Sequence, residues 1–372
     1  MRAQRLNRRP AGRYIMKGRT GPYAATLRAC LMACLAAAPL FAAPSLAAPA
    51  PTPAAGAPLA ITTTLVALDP SDPGATPTAP DGHSWLSYRG GLILSSSDPR
   101  FGGLSGLLIS NDGGTLIAVS DAGYWLTAQL SYEAGALTGL SGARIAPLLD
   151  TEGQPVAGSK RRGDAEALTR LADGRLAVAF ERDHRVWAYD FTAFGVAARA
   201  EPVPISADLA DAVNNKGLEA LSTLPDGSLL AITEATRTPQ GHIRGWRVTG
   251  AASRPVHLAR IAPFDLTDMA LLPSGYLLTL ERRYSRVGGV GAQMRLIDPT
   301  GADPTGPDPT GAGPLAGAII YRSKAGQTID NMEGLAVRTA PPARTLIYAV
   351  SDDNFNPLQR TVLLMFELTA TP

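Results

Sequence analysis

The chain has 372 residues, enough for a full-sized core. Its net charge of +2 averages two unequal parts: residues 1–48 hold eight of the 34 Lys/Arg and no acid, so the rest stands at 26 − 32 = −6. That acidic body has no basic patch interleaved with aromatics, which argues against nucleic-acid binding. Both cysteines, Cys30 and Cys34, also fall in the first 48 residues, which leaves no disulfide, thiolate ligand or thiol nucleophile beyond them.

Residues 1–48 read as a secretory signal peptide: a basic stretch, an apolar stretch from Ala29 to Ala48 broken by Pro39 and Pro44, then the small-residue end Ser45-Leu46-Ala47-Ala48. Met1 and Met16 are alternative starts. A periplasmic or secreted protein is expected, with no stable membrane span once the signal is removed. Residues 49–58 are Pro/Ala-rich and read as a linker, and 59–372 as a single domain. Residues 59–68 and 86–97 look like strands, expected to pair with the C-terminal run Thr361–Leu368.

From there one pattern is written five times: an acid, a Gly-containing turn, an apolar run and a second acid. The copies are 102–121, 164–181, 217–234, 267–281 and 332–352. Read this way, the first acid is Glu166, Glu219, Asp268 and Glu333, with Ser105 standing in the first copy. The second acid is Asp121, Glu181, Glu234, Glu281 and Asp352. The second strands are predicted at Thr115–Ser120, Arg175–Phe180, Ser228–Thr233, Tyr276–Leu280 and Thr345–Val350. Asp-Gly or Ser-Gly turns precede several of them. Third strands follow at Trp125–Tyr132, Val186–Phe191, Ile243–Val248, Met294–Ile297 and Thr361–Leu368. The stretch 298–314, DPTGADPTGPDPTGAGP, cannot bury apolar surface and reads as a surface loop. No amphipathic helical pattern recurs between strands.

A strand repeat of roughly 50–65 residues predicts an all-β fold, a β-propeller of four-stranded antiparallel blades. Five repeats are visible, so five blades are expected, or six if one is hidden in 59–100. Trp85, Trp125, Trp187 and Trp246 are expected in packing between blades.

The segments Arg89-Gly90-Gly91-Leu92, Phe101-Gly102-Gly103-Leu104-Ser105-Gly106-Leu107, Ala118-Val119-Ser120-Asp121-Ala122-Gly123 and Asp164-Ala165-Glu166-Ala167-Leu168 resemble the phytase-like family of secreted bacterial proteins. So do Asn215-Lys216-Gly217-Leu218-Glu219 and Asp330-Asn331-Met332-Glu333-Gly334-Leu335-Ala336. The resemblance covers about residues 86–368. It implies a secreted propeller with a phosphoesterase or esterase role.

Acids at equivalent places in every blade would form rings at the channel mouth. They would repel one another unless protonated, paired with bases or neutralised by a cation. Carboxylates without His or Cys favour a hard cation, Ca²⁺ before Zn²⁺. The metal ligands are assigned to Asp121, Glu181, Glu234, Asp268, Glu281 and Asp352. Glu166, Glu219 and Glu333 are assigned to catalysis, together with Ser105. Arg182, Arg282 and Lys216 are the bases expected to bind the oxyanion of a small phosphate-ester or other ester substrate, with metal-activated water as nucleophile. A Ser105–His184–Asp121 triad can be written, but the peptide around Ser105 lacks the glycine pattern and strand order of a nucleophile elbow. The competing reading is a non-catalytic, ligand-binding propeller whose acid ring is structural. A monomer is expected in either case.

Overall fold

The computed structural model describes residues 53–67, 79, 84–205, 217–285, 289–300, 313–324 and 326–370. Residues 1–48, expected as a signal peptide, lie outside the described residues, as do Lys216 and most of 298–314.

The described part is almost wholly β. First come β1 (Ala57–Pro58), β2 (Thr62–Leu65) and β3 (Leu86–Ser95). Blade 1 follows, with β4 (Leu104–Ile109), β5 (Thr115–Ser120), β6 (Tyr124–Glu133) and β7 (Ala136–Pro147), and β1 added along its outer edge. A one-turn helix, α1 (Lys160–Gly163), leads into blade 2: β8 (Ala165–Arg170), β9 (Leu176–Phe180) and β10 (Arg185–Tyr189), then α2 (Phe191–Phe194) and β11 (Glu201–Val203). Blade 3 is β12 (Leu218–Thr223), β13 (Leu229–Arg237), β14 (Ile243–Thr249) and β15 (Ala252–Leu258). Blade 4 is β16 (Asp265–Leu271), β17 (Leu277–Ser285), β18 (Gly289–Ile297) and β19 (Gly317–Arg322). Blade 5 is β20 (Asn331–Ala340), β21 (Arg344–Asp352) and β22 (Thr361–Leu368), completed by β3 and β2.

The innermost strands β4, β8, β12, β16 and β20 contact one another in order, and β20 returns to β4. The ring therefore closes with five blades, as the repeats implied. The closure is the expected one: β22 pairs antiparallel with β3, Thr361 opposite Leu94 and Leu368 opposite Leu86.

Five apolar clusters fill the five blade interfaces. The second strands are buried on both faces, so they read as continuous apolar runs; Leu176–Phe180 is buried at every position. Trp125 of blade 1 meets Tyr189 and Phe191 of blade 2 edge-on, with ring centroids at 5.3 and 5.1 Å. Each such side chain is worth about 1.5–3 kcal/mol on burial.

Two local expectations change. The third strand of blade 2 was expected to run to Phe191, but it ends at Tyr189. Asp190 caps α2 there, its carboxylate accepting the Ala193 N–H at 3.0 Å. Residues 54–58, expected as a loose linker, run along blade edges. Ala54 bridges to Gly195, and Ala57–Pro58 pairs with Arg144–Ile145 of β7. Pro58 suits such an edge, where its missing N–H is not needed.

Candidate active site at the axial channel

All five inner pairs of strands carry a β-bulge at the same place. The ladder skips Ser105-Gly106 in blade 1, Glu166 in blade 2, Glu219 in blade 3, Thr267 in blade 4 and Glu333 in blade 5. A bulge re-aims the residue it carries. Counted from the bulge, the second ring is Asp121, Glu181, Glu234, Arg282 and Asp352. Ser120, Phe180 and Thr233 pair across the bulged strand just before Asp121, Glu181 and Glu234, whereas in blade 4 the residue in that pairing is Glu281 itself.

The fourth repeat is thus displaced by one residue from the alignment drawn above. Thr267 and Arg282 take the ring positions assigned to Asp268 and Glu281. Because strand side chains alternate between faces, a one-residue slip sends both acids elsewhere. Asp268 is fully buried and clamps blade 4 to blade 5, accepting the Met269 N–H at 2.8 Å and the Leu335 N–H at 2.7 Å. Burial raises its carboxyl well above the usual range, against those two bonds. Glu281 is held inside blade 4 by Arg295 at 2.5 Å, Gln293 at 2.5 Å and Thr279 at 3.0 Å.

The remaining ring acids converge on a cavity of about 220 Å³. Its lining includes Asp121, Glu166, Glu181, Glu219, Glu234, Glu333 and Asp352, with Arg182 and Arg282 from the expected bases. Three further residues were not foreseen: Asp164, Lys160 and Asn354. Eight carboxyls therefore face three bases. Ser105 is not among the lining residues; its hydroxyl donates to the Gly103 carbonyl at 3.3 Å.

The bases are already engaged. Lys160 on α1 lies 2.5 Å from both Asp121 and Asp164. Arg182, in the left-handed region at φ 60°, reaches the other oxygen of Asp164 at 2.5 Å. Arg282 Nε lies 2.8 Å from Glu333 Oε1, and its Nη2 lies 3.5 Å from Glu234. Among the acids, Glu181 accepts the Gly217 N–H at 2.9 Å and Glu333 accepts Asn331 Nδ2 at 2.6 Å. The β21–β22 loop is pinned beside them. Asp352 accepts the Asn354 N–H at 2.6 Å, and Asp353 accepts the N–H groups of Gly103 and Phe355, both at 3.1 Å.

Crowding and burial set the protonation. Burial pushes Glu166 well above the usual carboxyl range, reinforced by Glu219, Asp164 and Asp121. Glu219 is driven the same way by burial, then by Glu234, Glu333 and Glu181, with Arg282 opposing. Glu333 is pushed up to about 7 by burial, the Arg282 guanidinium holding it from going further. Asp352 rises through burial, Asp121 and Glu333. Asp121 and Glu181 rise through burial, opposed by Lys160 and by the Gly217 N–H respectively.

Asp164, Glu166 and Glu181 bring one oxygen each within 4.8 Å of one another. These are hard oxygen donors, and Asp121 Oδ1 beside them is buried with no hydrogen-bond donor. The donor set therefore fits a hard divalent cation better than Zn²⁺.

Fold and site together define a five-bladed β-propeller with an acidic axial cavity. The chain belongs to the phytase-like family, described as having the esterase-like activity of phytase, whose model matches residues 99–355. No curated protein matches the chain. Among solved structures, it is similar to a gluconolactonase from Xanthomonas campestris at 13% identity and TM-score 0.42, over 82% of this chain and 97% of that one. It is also similar to virginiamycin B lyase from Staphylococcus aureus at 11% identity and TM-score 0.36, over 71% and 85%. No helix among the described residues is long and apolar enough to cross a membrane.

Proposed function

We propose that this protein is an exported, monomeric hydrolase of phosphate esters or related small esters, dependent on a divalent cation, Ca²⁺ being the best fit. The observation that carries this reading is the convergence of Asp164, Glu166 and Glu181 within 4.8 Å in a cavity that also holds arginines. Asp164, Glu166, Glu181 and Asp121 would hold the cation. When bound, it supplies Lewis-acid charge to the ester's developing oxyanion. Arg282 and Arg182 orient that oxyanion through planar, paired donors. Glu219, kept protonated by its burial among acids, donates a proton to the leaving alkoxide. Glu333, pushed up to about 7, takes a proton from the attacking water.

Calorimetry with Ca²⁺ and turnover of p-nitrophenyl phosphate against p-nitrophenyl acetate test the reading. No calcium binding, and melting unchanged by chelator, removes the cation. Turnover of neither ester removes the hydrolase. One observation favours the second reading, a non-catalytic binding propeller: Lys160, Arg182 and Arg282 all have acidic partners within the cavity.

A further inference from the structure

Arg282 and Asn354 line the axial cavity and also a second, larger cleft of about 750 Å³. The cleft lies between the adjoining ends of β17 and β18, the start of β20 and the β21–β22 loop. Part of its polar wall is a chain of three amides that ends on the Asp330 carboxylate. Asn354 and Asn356 each donate through Nδ2 to Gln359 Oε1 at 3.4 Å, and Gln359 Nε2 donates to Asp330 Oδ1 at 3.3 Å. Bonds this long are weak and are readily exchanged for better ones from a ligand. A primary amide offers donors and an acceptor together, which is what a hydroxyl needs on each side. Tyr284 at 70% exposure and Leu358 at 90% add apolar surface at the rim, suited to the C–H face of a ring.

Charge points the same way. Arg360 is the cleft's second cation among the described residues, and it faces Asp330 at 3.8 Å. Arg282 is engaged by Glu333. Beyond it stand the eight carboxyls of the axial cavity. A polyanion entering here would find both guanidiniums already facing acids, Arg282 on Glu333 and Arg360 on Asp330.

We infer that this cleft is the subsite for a neutral, hydroxyl-rich group of the substrate, of carbohydrate type, adjacent to the ester in the axial cavity. The link to an ester rests on the proposed hydrolase; occupancy of the cleft does not. A multiply phosphorylated ring is the wrong occupant.

The test is ligand-observed NMR titration of the intact protein with two probes, a neutral hexose and inositol hexakisphosphate. Weak saturable hexose binding is expected, with Kd on the order of 1 mM. An Asn356→Ala/Gln359→Ala double variant with unchanged melting temperature should bind about tenfold more weakly, as expected for lost hydrogen bonds. Absence of saturable hexose binding overturns the inference. So does equal affinity in the double variant, or tighter binding of the hexakisphosphate than of the hexose. Turnover plays no part in these readouts, so a failed subsite and a failed hydrolase are told apart.

Discussion

Arg282 Nε sits 2.8 Å from Glu333 Oε1, a cation from blade 4 against an acid from blade 5. Four of the five blades place an acid where blade 4 places Arg282. That single exchange sets a guanidinium among the ring acids, within reach of Glu333 and Glu234. It also keeps Glu333 poised near neutrality, where burial alone would drive it higher.

Six cavity carboxyls, Asp121, Glu166, Glu181, Glu219, Glu333 and Asp352, titrate above their ordinary range. A carboxyl whose pKa is raised by folding adds stability below its unfolded value. That stability is lost as pH rises through the folded value. For Glu333 the window runs from 4.5 to about 7. The cation-free protein should therefore melt lower as pH rises from about 5 to 8. Calcium should raise Tm more at the upper end than at the lower. A cation-free Tm that is flat or rising over this interval contradicts the protonation scheme.

Glu219→Gln removes the proposed proton donor while keeping its shape. Turnover of an alkyl phosphate, whose alkoxide leaving group needs that proton, should fall by at least about 100-fold with Tm nearly unchanged. Retained turnover assigns the proton transfer to another ring acid.

Asp268→Ala should act on stability alone. It strands the N–H groups of Met269 and Leu335, at a cost of about 2–4 kcal/mol in denaturant unfolding. Specific activity of the folded fraction should match the parent, because Asp268 does not line the cavity. Loss of activity without loss of stability would return Asp268 to the site.

Gly103→Ala should damage both. Gly103 sits at φ 62°, and a Cβ there would stand 1.9 Å from Asp121 Oδ1. The strained backbone costs about 1–3 kcal/mol. Displacing Asp121 should weaken calcium binding measured by calorimetry, and unaltered affinity would exclude Asp121 from the cation site.

The blade frame was legible because apolar runs recur with every blade and Asp-Gly or Ser-Gly turns with four of the five, and the strand ends mostly agree within a few residues. Four of the five bulges fall on the residue the repeats had already singled out: Ser105, Glu166, Glu219 and Glu333. The fourth does not, because Thr267-Asp268 and Glu281-Arg282 each offer two polar neighbours. Apolar spacing cannot choose between them; the ladder pairing Leu266 with Glu281 does. Asp164 and Lys160 escaped notice for a related reason. Asp164 immediately precedes the inner strand and Lys160 belongs to a one-turn helix, so neither occupies a position shared by all the repeats. A reading by repeats finds what is shared among blades and overlooks what one blade has alone.

The pairing of β3 with β22 joins segments nearly the whole domain apart: Leu86 lies opposite Leu368. Until the last strand has been made, blade 5 lacks its middle and the interfaces on either side of it stay open. Contacts this distant in sequence slow folding, since the long loop must close before any is gained. The clasp is thus expected to close late in assembly, because the core between blades 1 and 5 draws on Leu363 and Met365 of β22. A truncation before Thr361 should therefore yield neither a closed ring nor an axial cavity, even though every cavity-lining residue precedes that point.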